Sequence, residues 1–127
     1  MAILIVEDEE QVRVLAESYL REQGHETFSA ATKDQALAVL DVAKIDLLFV
    51  DIGLYEHREI GLDLAKEAVE RNPELKVLYT TGQTVTDGMK ALFVQNSALL
   101  TKPYTVEQLQ TILVVRMSIK PVNGPNV

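Results

Sequence analysis

Five polar residues in this sequence could do chemistry together: the carboxylates of Glu7, Asp8 and Asp51, the hydroxyl of Thr81 and the ammonium of Lys102. Three carboxylates within a few ångströms raise one another's pKa unless a cation intervenes, and an all-oxygen ligand set favours a hard divalent ion. Mg²⁺ suits such a set best. It needs only one or two protein carboxylates, keeps several waters and completes its shell with phosphate oxygens, whereas Ca²⁺ would demand more protein oxygens. An aspartate carboxylate can also attack phosphorus and form an aspartyl phosphate. The phosphoryl oxygens would then need donors and counter-charge, which Mg²⁺, Lys102 and Thr81 could supply.

That chemistry requires elements that bring residues from distant parts of the chain to one place. Four short apolar runs, AILIV, DLLFV, KVLY and ALLT, lack polar alternation, as strands buried on both faces do. Between them, apolar residues recur at helical spacing: Val12, Leu15, Ala16, Tyr19 and Leu20, then Ala36, Val39, Leu40 and Ala43, then Leu62, Ala65 and Val69 ahead of Asn72-Pro73. GHETFSA, after the stop signal Gly24, is more polar and suits an edge strand, and Thr32 and Thr105 stand where helix caps are needed. The order is strand then helix, five times. Short connections in that order call for a parallel sheet covered by helices on both faces. Glu7 and Asp8 then follow the first strand, Asp51 the third, Thr80 and Thr81 the fourth, Thr101 and Lys102 the fifth. All meet at the carboxyl edge of the sheet, where open α/β folds bind ligands. The second strand ends in Ala30-Ala31, without chemistry, which places it at the margin.

Composition narrows the function classes. A chain of 127 residues, 47% hydrophobic, makes one domain with a real core. A net charge of −7 argues against a nucleic-acid partner, since phosphate binding rests on Lys and Arg. Without cysteine there is no disulfide framework and no thiolate metal site. No apolar run approaches the ~20 residues of a membrane span, and the first apolar run leads straight into acid, unlike a signal peptide. A cytoplasmic protein is expected. KPVNGPNV, residues 120–127, has the composition of a disordered tail or linker stub beyond a domain of residues 1–119.

The element order and four motifs, VEDE, LLFVDIGL, YTTG and LLTKPY, resemble the receiver domain of bacterial two-component response regulators over roughly residues 2 to 118. The resemblance implies a flavodoxin-like fold, a (βα)5 three-layer sandwich with strand order 2-1-3-4-5. It implies that Asp51 is the phosphoacceptor, that Glu7, Asp8, Asp51 and the carbonyl of Gly53 form an Mg²⁺ site, and that Thr81 and Lys102 stabilise the phosphoryl group. A cis Lys102-Pro103 bond belongs to the same pattern. The implied partner is a sensor histidine kinase or histidine phosphotransfer protein, and the implied role is a phosphoacceptor switch acting through protein contacts rather than an enzyme. The alternative is an Mg²⁺-dependent phosphohydrolase with an aspartyl nucleophile. Such enzymes place a second acid two residues after the nucleophile, where this chain has Gly53, and no insertion is large enough to cap a substrate.

Some positions depart from the pattern. Leu99 stands where the family usually carries an aromatic ring, Tyr55 replaces a proline, and LYEHREIG makes a slightly long loop. Thr81, next to the small Gly82, is preferred over Thr80 as the sensing hydroxyl. Glu7 is expected to act through water, and Glu9 and Glu10 to lie in the first turn of a helix, where the dipole favours them. His25 and His57 are expected to be exposed, Tyr79 and Tyr104 to be packing residues. Gly88 weakens the fourth helix, which should be short or mobile. The last helix, from Val106 to about Ile119, turns Val106, Leu109, Leu113 and Met117 inward. Its further apolar residues Ile112, Val114, Val115 and Ile119 predict a homodimer through the face of the fourth and fifth helices.

Overall fold

Successive residues of a strand point to opposite faces of a sheet, so an unbroken apolar run fills two cores at once. Three strands do this at the centre of the structure, a computed structural model that describes residues 1–54 and 58–119. β1 (Ala2–Val6), β3 (Leu47–Asp51) and β4 (Lys76–Thr81) send Leu4, Val6, Leu48, Val50, Val77 and Tyr79 to one face. Ile3, Ile5, Leu47, Phe49 and Leu78 go to the other. With β2 (Glu26–Ala30) and β5 (Ser97–Thr101) they form one parallel sheet in the order β2-β1-β3-β4-β5, as expected.

The helices close the two cores. α1 (Glu10–Glu22) and α5 (Val106–Val115) lay Ala16, Leu20, Leu109 and Leu113 on the second face. α2 (Lys33–Val42) and α3 (Arg58–Arg71) lay Ala36, Leu64, Ala65 and Ala68 on the first. Thr32 caps α2, accepting from Gln35 N–H at 3.1 Å, and Thr105 forms a reciprocal capping box with Gln108. α4 (Asp87–Lys90) is only four residues long and buries none of them, in keeping with Gly88 at its second position. Its cap, Thr86, accepts from Met89 N–H. The segment after it is anchored by rings: Phe93 stacks on the fully buried Tyr79 at 4.1 Å, whose hydroxyl accepts from Val94 N–H at 3.0 Å.

Two expectations need correction. α5 stops at Val115, short of Ile119. Ser118 takes a left-handed φ of 57°, and Ile119 N–H then donates back to Leu113 O at 2.8 Å. This turn buries Ile119 to 2% exposure, so it cannot belong to an outward dimer face; Val114 and Val115 stay exposed and Ile112 is half-buried. His25, just before β2, is also buried rather than exposed, and it lines a small cavity with Leu20, Leu113 and the returning Ile119. Tyr55, His57 and the tail at 120–127 lie outside the described residues.

Candidate functional site

Each strand end delivers its side chain to the same edge. β3 and β4 are in register with Asp51 opposite Thr80, and β4 and β5 with Thr81 opposite Thr101. The edge is stitched past the strands by Ile52 N–H on Thr80 O at 2.9 Å and Lys102 N–H on Thr81 O at 2.8 Å. Glu7, Asp51 and Thr81 are all buried. Carboxylate oxygens of Glu7, Asp8 and Asp51 lie within 4.8 Å of one another. The Lys102 ammonium reaches across, 2.5 Å from Glu7 Oε1 and 3.1 Å from Asp51 Oδ2. Gly53 N–H donates to Asp51 Oδ1 at 2.9 Å, so both oxygens of Asp51 are held. Thr81 Oγ1 accepts from Gln83 N–H at 3.2 Å and keeps its own hydrogen to donate elsewhere. The resulting hollow, about 330 Å³, is lined by Glu7, Asp8, Asp51, Gly53, Thr81 and Lys102. Lys102-Pro103 is cis.

The electrostatics show what the cluster lacks. Burial pushes the Glu7 carboxyl up to about 7; Lys102 opposes the shift and the Asp51 charge adds to it. Burial alone would lower the Lys102 pKa, but the Glu7 and Asp51 carboxylates outweigh it and hold the ammonium above its usual value. Fully ionised, the three carboxyl groups against the Lys102 ammonium would leave the cluster two positive charges short, and with Glu7 protonated, one. A divalent cation would supply that charge and favour the ionised form of Glu7, and oxygen-only donors fit a hard one.

Glu7, Asp8, Asp51, Gly53, Thr81 and Lys102, all singled out from the sequence, converge here, and Thr101 does not line the hollow. Thr80 does not line the hollow; it points to the Tyr104 side of the sheet, where its Oγ1 is buried without a hydrogen-bond partner. Glu7 is also a direct ion-pair partner of Lys102, which the sequence reading did not foresee. Two supporting residues escaped the sequence reading. Arg13 Nη1 donates to the Glu7 carbonyl at 2.9 Å. Gly61 lets α3 lie against the strand end, since a Cβ there would come 2.6 Å from Asp51 O and 2.7 Å from Ile52 Cα. A glycine inside a helical pattern was the signal for such a close approach.

The profile of the response regulator receiver domain matches residues 3–114. The chain belongs to this family. The receiver is 29% identical to the regulatory protein VanR of Enterococcus faecium over 102 residues, which is 80% of this chain and 43% of VanR. It superposes on the crystal structure of NtrX from Brucella abortus with a TM-score of 0.81 at 30% identity, covering 92% of this chain and 26% of that one. A response regulator receiver protein from Sinorhizobium medicae matches with TM-score 0.81 at 26% identity, over 93% and 94% of the two chains. The receiver thus spans less than half of VanR and about a quarter of NtrX. Leu99 lies on β5. Its cross-strand neighbour is Tyr79, which brings a ring to the same face from β4. No helix among the described residues is long and apolar enough to cross a membrane.

Proposed function

We propose that this receiver takes a phosphoryl group onto Asp51 from a histidine kinase or histidine phosphotransfer protein, in an Mg²⁺-dependent reaction, and thereby changes its protein contacts. The observation that carries this reading is the placement of Lys102 between Glu7 and Asp51, beside a cluster of three carboxylates. Asp8, Asp51, the Gly53 carbonyl and Glu7, directly or through water, would hold the metal. When bound, Mg²⁺ supplies the positive charge that lets phosphoryl oxygens approach the carboxylates.

The chain's own groups do the rest. Gly53 N–H fixes the Asp51 carboxylate, one oxygen of which forms the new bond to phosphorus as the bond to the donor's imidazole nitrogen breaks; the electron pair leaves with the imidazole. Lys102 turns from the carboxylates to a phosphoryl oxygen, and the Thr81 hydroxyl donates to another. Both residues are at the ends of strands that lead into the α4 and α5 connections, so the change is passed to that face. There, Ile112 and Val115 border one groove and form the surface we assign to self-association, without the buried Ile119 and without Val114, which lies on the α1 side of the helix. The receiver works as a switch in the cytoplasm.

Incubation with acetyl phosphate and Mg²⁺ should give an acid-stable, base-labile label on the protein. Equal labelling of an Asp51→Asn variant would defeat the assignment.

A further inference from the structure

Arg13 lies near the start of α1, where the helix dipole taken alone disfavours a cation. It lies in the first turn of α1, where its backbone N–H donates to Glu9 O at 2.9 Å. The N–H groups at a helix start attract anions and repel a guanidinium. Even so, the side chain does not extend into solvent. It is half-buried and folds back over the helix start, with Nη1 on the backbone carbonyl of Glu7 at 2.9 Å. On the other side of the same turn, Glu7 Oε2 accepts from Glu9 N–H at 3.2 Å. Glu9, the N-cap residue, makes no side-chain cap of its own. The turn from β1 to α1, which carries Glu7 and Asp8, is therefore held by side chains rather than by an ordinary cap.

We infer that Arg13 is a positioning residue, whose guanidinium fixes the β1–α1 turn so that the carboxylates of Glu7 and Asp8 meet that of Asp51. The inference rests on the metal site of the proposed function. Partners that orient ligands without touching the metal commonly change its affinity by about 10–100-fold when lost. A role through charge alone has the opposite sign: a cation near the site repels Mg²⁺, and removing it tightens binding.

Two variants of the full chain separate these roles. Arg13→Gln removes the charge and the fork; Arg13→Lys keeps the charge but loses the planar guanidinium. Calorimetric titration with Mg²⁺ at fixed ionic strength should show both variants binding about 10-fold or more weakly than wild type. In the metal-free protein, amide exchange at Asp8 and Glu9 should quicken in both variants while that of α5 is unchanged. Tighter binding by Arg13→Gln with an unchanged Arg13→Lys would overturn the inference in favour of charge, and unchanged affinity in both would overturn it outright. Wild-type protein that binds no Mg²⁺ would count against the proposed function, and the exchange measurement would still decide whether Arg13 holds the turn: unaltered protection at Asp8 and Glu9 would refute it.

Discussion

Gly61 is the residue on which the fixed position of Asp51 most visibly depends. α3 crosses the end of β3 so closely that a methyl group at position 61 would overlap the Asp51 carbonyl and the Ile52 Cα, both backbone atoms that cannot rotate away. Gly61→Ala should therefore destabilise the fold by roughly 1–3 kcal/mol, the usual cost of overpacking, despite alanine's better helix propensity. Urea unfolding measures this; a stabilised variant would mean that α3 does not press on the strand. At this scale the sequence announced residue types and order but not distances. Asp8, Asp51, Thr81 and Lys102 were legible because each ends a strand or follows one within two residues. The Glu7–Lys102 ion pair and the Arg13 tie to the turn were not, because each depends on where a long side chain lies once its backbone is placed.

Among the elements, the central strands were legible because burial on both faces leaves no polar alternation to misread. The end of α5 was not. Apolar residues continue at helical spacing to Ile119, and the left-handed residue that stops the helix is Ser118, where a glycine would have signalled a stop. The same turn explains His25, which Ile119 covers together with Tyr19, Leu20 and Leu113. Burial, aided by the Met1 ammonium, lowers the pKa of His25 below its ordinary 6.5, and its Nδ1 has no hydrogen-bond partner. The unfolded chain then binds the extra proton more readily than the folded one. The stabilisation by neutral His25 is present above pH 6.5 and is lost as pH falls below it. Between about pH 7.5 and 5.5, wild type should lose stability relative to His25→Gln, at no more than about 1.4 kcal/mol per pH unit. Parallel unfolding curves for the two proteins across that range would show that His25 is not buried neutral.

For the molecule as a whole, the parallel strand order and the single reactive edge follow from the alternation of apolar runs with amphipathic segments, and the receiver assignment agrees with both. What the molecule touches is less directly written. The exposed Val115 on α5 lies beside the half-buried Ile112, and the two border a shallow groove of about 440 Å³, while Val114 lies on the α1 side of the helix. If this face joins two copies, sedimentation velocity should show concentration-dependent dimers that Val115→Asp abolishes; a monomer at high concentration, phosphorylated or not, would remove the dimer from the account. The central claim concerns Asp51 itself, and the most direct measurement locates the phosphoryl group. Protein treated with acetyl phosphate and Mg²⁺, then reduced with borohydride, converts an aspartyl phosphate to homoserine at the acceptor position. The account predicts homoserine at position 51 alone, dependent on Mg²⁺; reduction at position 8 instead, or no reduction anywhere, would contradict it.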